Sequence, residues 1–136
     1  MCVRVMFWSD WGSPAKIEKA NMDGSDRKTI ISGNGLGWPN GLAIDYNAGR
    51  LYWTDAKTQR IERSDLNGNF RKVIQKGQLY PYVLDIFGDF IYWTDWVTKQ
   101  VKQVSKTNLS SVTVLRSNLD RLREIRVISP GRREGE

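Results

Sequence analysis

The sequence predicts an all-β fold built of four-stranded antiparallel blades of the β-propeller kind, about three of them in a row, too few to close a ring. Three observations predict it. One short motif is written three times, as Phe7-Trp8-Ser9-Asp10, Tyr52-Trp53-Thr54-Asp55 and Tyr92-Trp93-Thr94-Asp95. Longer companions follow the first two copies: Lys16-Ile17-Glu18, Asn21-Met22-Asp23-Gly24 and Arg27-Lys28 return as Arg60-Ile61-Glu62, Asp65-Leu66-Asn67-Gly68 and Arg71-Lys72. The spacing of the motif Trp residues, 45 and then 40 positions, is that of a repeat architecture rather than of a single irregular domain. Finally, the periodicity reads as strand almost everywhere and as helix almost nowhere.

The elements follow in order. Val3–Trp8, Lys16–Asn21 and Arg27–Ile31 read as a blade lacking its first strand. Gly41–Asp45 is a short apolar run suited to a strand buried on both faces, and Asn47-Ala48-Gly49 turns the chain into Arg50–Thr54. Arg60–Ser64 alternates charged and apolar residues as a half-exposed strand does. Asn67-Gly68 suits a two-residue hairpin, because both residues tolerate positive φ, and Arg71–Ile74 ends the unit. Val83–Phe87, Phe90–Thr94, Gln100–Ser105 and Val112–Leu115 repeat that scheme, and Arg123–Ile128 reads as a lone first strand. The resulting division is a partial blade over 1–37, full blades over 38–77 and 78–117, a lone first, ring-closing strand within 118–130, and a basic tail at 131–136.

Composition narrows the function. Histidine is absent, which removes the usual general base, the commonest metal ligand and the pH switch. The single cysteine, Cys2, allows neither an intrachain disulfide nor a thiolate zinc cluster. No apolar run reaches the ~20 residues of a membrane helix, so no direct membrane insertion is expected. The start of the chain does not read as a secretory signal. The net charge of +6 lies wholly beyond residue 56, since residues 1–56 carry six basic and six acidic side chains. This basic half admits a polyanion partner of the heparan type, although a solvated, weakly selective surface is the commoner explanation; a nucleic-acid partner is not expected.

Within the motif, Tyr and Thr face one side of the strand, Trp and Asp the other. A Trp on a blade face fills the wedge between twisted neighbouring sheets, burying about 150–250 Å². Trp8, Trp53 and Trp93 are therefore expected at equivalent structural sites. Asp10, Asp55 and Asp95 end their strands, where a carboxylate accepts backbone amides of the following loop. Their identical recurrence argues against a catalytic or metal-binding set, because catalytic groups differ in role. No catalytic residue, metal or cofactor is expected.

These repeats, together with Trp38-Pro39-Asn40-Gly41-Leu42-Ala43-Ile44-Asp45, resemble the propeller of the low-density lipoprotein receptor family, above all its receptor-related members, over residues 5–130. That resemblance implies a six-bladed propeller flanked by cysteine-rich modules outside the cell, in an endocytic receptor or a Wnt co-receptor. Leu122–Val127, followed by Pro130, is similar to the segment that closes the ring, so the chain resembles the C-terminal half of one propeller. Half the ring and the flanking modules are missing, and Tyr80-Pro81-Tyr82 stands where the family commonly has His-Pro-Phe. Family members bind protein and peptide ligands on the end of the ring where the fourth-to-first and second-to-third strand connections emerge. Carried over, this nominates Trp11, Trp38, Asn40, Tyr80 and Trp96 as ligand-binding residues.

Recognition of protein ligands without chemistry is thus the expected function. A nidogen-like matrix-binding propeller and a basic scaffold for polyanions are its alternatives, and an enzyme is not expected. Asn108-Leu109-Ser110, the only Asn-x-Ser/Thr sequence, falls at a hairpin turn suited to a glycan. An open half-ring leaves apolar blade faces and a strand edge uncovered, so self-association is expected.

Overall fold

In the computed structural model, residues 4–77 and 79–128 are described. Cys2, Val3, Pro130 and the basic tail at 131–136, which figure in the reading above, lie outside the described residues. Eleven strands run in order: β1 Val5–Asp10, β2 Lys16–Asn21, β3 Lys28–Ser32, β4 Pro39–Asp45, β5 Arg50–Asp55, β6 Arg60–Asp65, β7 Lys72–Lys76, β8 Pro81–Phe87, β9 Phe90–Asp95, β10 Gln100–Ser105 and β11 Thr113–Arg116. They form three antiparallel sheets in sequence order, β1-β2-β3, β4-β5-β6-β7 and β8-β9-β10-β11. Strands β4 and β8 lie against each other, and β1 lies against β4, so the sheets stand side by side as successive blades of an arc that does not close.

The register shows the repeat directly. Trp8, Trp53 and Trp93 lie opposite Glu18, Glu62 and Lys102 on the second strand of each pair. Two apolar layers fill the gaps between sheets. Ile17, Ile31, Leu51 and Trp53 fill the first, with Phe7 and Leu66 packed against them. Tyr52, Ile61, Leu84, Ile91, Trp93 and Val104 are among those filling the second. The alternation of strand side chains explains the division: Trp53 points to the blade before its own and Tyr52 to the blade after it. Trp53 is 0% and Trp93 1% exposed. Trp8 holds the same register but is only half-buried, because among the described residues no sheet stands before β1.

Two glycines set how closely sheets approach. A Cβ at Gly41 in β4 would lie 2.8 Å from the Val83 Cα of β8. At Gly68, with φ +83°, it would lie 2.2 Å from the carbonyl oxygen of Ile30 in β3.

Two expectations are corrected. The Asn67-Gly68 connection is not a two-residue hairpin turn, since β6 ends at Asp65 and β7 starts at Lys72. Positive φ falls on Gly68 and Phe70, not Asn67. The wider loop is closed by Asp65, whose Oδ1 accepts the amides of Asn67 and Asn69 at 2.8 Å each. Residues 123–128 are not a strand: among the described residues no strand pairs with them in a ladder, and a strand needs such a neighbour. They are nonetheless placed, with the Val127 amide donating to Asp85 Oδ2 at 2.7 Å.

Candidate functional site

The site grows from the motif aspartates. Asp55 is 0% exposed at the end of β5. Its carboxylate accepts the Thr58 amide of the following loop at 3.0 Å, and also the Gly37 and Trp38 amides, at 2.7 and 3.0 Å, from the segment leading into β4. Asp95 repeats this, accepting Val97 at 3.0 Å, Thr98 at 3.2 Å and, from the segment before β8, Tyr80 at 3.3 Å, while the Lys102 ammonium stands 3.3 Å away. Bonds from amides to an ionised carboxylate are about twice as strong as neutral ones. One buried group per blade therefore ties two loops together and fixes the backbone of an aromatic residue, Trp38 or Tyr80. Among the described residues Asp10 accepts an amide of its own loop alone, that of Gly12 at 2.7 Å, since no described strand precedes β1 in its sheet.

On this frame stand two exposed aromatic clusters. Trp11 and Trp38 stack at 6.2 Å between ring centres, and the Lys57 ammonium lies 5.9 Å from the Trp38 ring centre. The Trp11 indole donates to the Pro39 carbonyl at 2.6 Å, reaching from the first blade to the second. In the third blade Trp96 stacks on Tyr80 at 5.7 Å and on Tyr82 at 4.2 Å. Trp11, Trp38 and Trp96 remain 55%, 40% and 41% exposed, although each is stacked. All lie in or beside the β1–β2, β3–β4, β7–β8 and β9–β10 connections, at one end of the blades.

Asn40 links the clusters. Its Nδ2 donates at 3.0 Å to the carbonyl of Tyr82, which also accepts Thr54 Oγ1 at 2.8 Å. One of the two Nδ2 hydrogens is thus engaged in joining β4 to β8, and Asn40 offers a ligand its second hydrogen and its Oδ1 acceptor. Two contributors were missed in the sequence. Tyr82 could have been found, since it follows Tyr80 by two residues at the entry to β8. Lys57 could not, because only the fold brings its loop over Trp38.

The other polar groups shared by the repeats serve the frame. Glu18 is held by Arg27 at 2.8 Å and Thr29 at 3.0 Å and accepts the Trp8 indole at 3.1 Å. Glu62 takes a two-pronged bond from Arg71, at 2.9 Å for each nitrogen, with the guanidinium 5.6 Å from the Trp53 ring centre. The third copy has Lys102 in place of Glu and reaches Asp95 instead. Asn108 is exposed in the turn between β10 and β11, with the Ser110 hydroxyl 3.0 Å from its Oδ1.

A family model, the low-density lipoprotein receptor repeat class B, matches residues 4–46 and 49–80, more than half of the chain. The chain belongs to this family. Relatives of this class B repeat chain include the vitellogenin receptor Yl of Drosophila melanogaster, 44% identical over 75% of the chain and 5% of the relative. Low-density lipoprotein receptor-related protein 5 of Mus musculus is 44% identical over 92% of the chain and 8% of the relative. The human low-density lipoprotein receptor-related protein 5-like protein is 38% identical over 80% of the chain and 43% of the relative. Among solved structures, a chain of a nidogen/laminin complex superimposes with a TM-score of 0.72 at 33% identity, over 83% of this chain and 42% of that one. A TolB from Agrobacterium tumefaciens reaches 0.70 at 11% identity, which is a likeness of fold alone. The class B repeat chain spans less than half the length of each of these relatives.

Proposed function

We propose that the chain is a ligand-binding part of an extracellular receptor propeller, and that it captures protein segments on its aromatic loop end without chemistry. One observation carries the reading: two stacked, exposed aromatic clusters are anchored by wholly buried carboxylates at the same end of consecutive blades. Stacked rings already fixed in place lose little freedom when a ligand covers them, and aromatic anchors dominate protein interfaces. The relatives supply the receptor context, since a vitellogenin receptor and receptor-related proteins are among them. An extended segment with an Asn or Gln side chain would donate its amide to Asn40 Oδ1 while its neighbours cover Trp38 and Trp96.

The experiment is a binding titration of an Asn-containing peptide against the chain, its Trp96→Ala variant and its Asn40→Ala variant. Removing Trp96 is expected to weaken capture by about 30-fold or more, the scale of an interface hot spot. Unchanged affinity in both variants would overturn the assignment. Heparin binding, measured in parallel at low and high salt, reads the rival: a polyanion scaffold loses affinity steeply with salt, whereas an aromatic peptide site keeps most of its affinity. A nidogen-like matrix role, for which the nidogen/laminin chain is the precedent, predicts retention on a matrix protein by the same aromatic face.

A further inference from the structure

We propose that Asn34 is a modification site: of the three Asn-Gly steps in the chain, the fold leaves this one free to lose its side-chain amide and become aspartate or isoaspartate. The inference is independent of the ligand proposed above.

The three steps are Asn34-Gly35, Asn40-Gly41 and Asn67-Gly68. Asparagine before glycine is prone to deamidation, because no Cβ shields the glycine nitrogen from the side chain before it. Once it gives up its proton, that nitrogen attacks the asparagine Cγ. A succinimide ring closes, and the side-chain nitrogen leaves as ammonia. Water then opens the ring at either carbonyl. One opening gives aspartate; the other gives isoaspartate, whose main chain runs through the former side-chain carbons and is longer by a methylene. Either product carries a carboxylate where an amide was. Water is the only co-reactant, so attack by the glycine nitrogen is the step a fold permits or forbids.

At two of the steps it is forbidden. The Gly41 amide donates to Thr54 Oγ1 at 2.9 Å in the buried contact between β4 and β5, and the Asn40 side chain is pinned to the Tyr82 carbonyl. The Gly68 amide donates to the Asp65 carbonyl at 3.2 Å, and Asn67 Oδ1 accepts the Lys19 ammonium. In both places the nucleophile is held by an acceptor and the side chain it must reach is held elsewhere.

Asn34-Gly35 differs in both respects. The two residues form the centre of a turn in the β3–β4 connection, closed by the Leu36 amide donating to the Gly33 carbonyl at 2.8 Å. Their φ values are both positive, 29° and 76°, as in the type I′ turn that Asn-Gly prefers. Such a turn engages the groups of its outer residues and leaves the central amide unbonded. Among the described residues neither the Gly35 nitrogen nor the Asn34 side chain has a hydrogen-bond partner, and both residues are exposed.

The surroundings favour the reaction. A Cβ on Gly35 would lie 3.7 Å from Arg60 Nη1 and 3.7 Å from Arg71 Nη2. Arg71 is fixed there, donating to the Asn34 carbonyl at 2.7 Å, but it shares its charge with Glu62. Arg60 is in no ion pair among the described residues and supplies the freer cation. Cations set in place beside a turn stabilise the negative charge that builds first on the Gly35 nitrogen and then on the attacked carbonyl. The product is felt further on. Leu36 packs against the first apolar layer, and Asp55 holds the Gly37 and Trp38 amides, so the lengthened turn of isoaspartate strains a connection fixed on both sides and ending at Trp38.

The test is incubation of the folded chain at mildly alkaline pH, followed by peptide mapping with detection of isoaspartate by enzymatic methylation. Asn34 is expected to convert about tenfold or more faster than Asn40 and Asn67, the scale of releasing one hydrogen bond before attack. In urea, where no amide is held, the three steps are expected to convert at similar rates. The converted folded chain should leave a cation exchanger earlier, by the negative charge gained. Arg60→Gln is expected to slow Asn34 in the folded chain and not in urea. Conversion of Asn40 or Asn67 as fast as Asn34 in the folded chain, or an Asn34 that stays intact when folded while converting in urea, would overturn the proposal. Equal folded rates in Arg60→Gln and the parent would overturn the part given to the arginine.

Discussion

Asp55 is a charged side chain with no solvent contact, and three backbone amides explain how it is tolerated. Asp55→Asn keeps the shape but puts an NH2 donor where an acceptor is needed. A loss of about 1–3 kcal/mol is expected in denaturant unfolding, the scale of an unpaired buried polar group, with the Gly37 and Trp38 amide resonances displaced. The motif Trp residues should separate by position. Trp53→Ala, emptying a wholly buried site, is expected to cost about 3–5 kcal/mol, and Trp8→Ala distinctly less, because Trp8 is half-buried. Equal losses at the two sites would contradict the difference in packing. That Asp55 accepts its own loop follows from its place at a strand end. Its second role, holding Trp38, was not legible, because it depends on β4 and β5 pairing with Pro39 opposite Asp55. The engaged donor of Asn40 was hidden for the same reason: Tyr82 is 42 residues away in sequence.

Strands were readable because alternation and turn residues repeat three times, so each copy checks the others. The β6–β7 turn was misjudged because Asn-Gly is a strong local signal, and the side chain of Asp65 overrides it by bonding two amides of a wider loop. The corresponding β10–β11 turn exposes Asn108, so expression through a eukaryotic secretory route is expected to give a glycosidase-sensitive mass increment that Asn108→Gln abolishes. Between sheets, Asp45 of β4 meets Lys106, which follows β10, at 2.7 Å. Burial pushes the Asp45 carboxyl up, but the Lys106 bond and the Ala48 amide outweigh it and hold it below its ordinary value. Glu18 is likewise lowered, chiefly by its bond from Arg27. A carboxyl lowered by folding adds stability above its unfolded pKa and loses it as pH falls toward the folded value. The unfolding midpoint is therefore expected to drop on acidification through and below the ordinary carboxyl range, and Asp45→Asn with Glu18→Gln should flatten that dependence. Gly41→Ala, which forces a methyl toward Val83, is expected to raise amide exchange along the β4–β8 contact while leaving the β1–β2 ladder protected.

At the scale of the molecule, the blade count and order were legible because a repeat states its own architecture. The path of residues 117–128 was not, since a strand-like pattern says nothing about whether a neighbour is present to make it a strand. The loop end emerged only in part from the residues alone. Trp11 on Trp38 is a contact between blades, and which rings meet depends on the angle at which one sheet follows another.

The angles between successive sheets trace back in part to two missing methyl groups. Gly41 lets the inner strands close to van der Waals distance, and Gly68 does the same further out, against Ile30. They stand at successive gaps: Gly41 is an inner stop between the second and third sheets, and Gly68 an outer stop between the first and second. A side chain at the inner stop alone would straighten the arc, and more blades would then be needed to come full circle; one at the outer stop alone would tighten it, and fewer would do. How sharply each sheet turns from the one before it is thus limited, on the inside of one gap and the outside of the other, by a residue with no side chain.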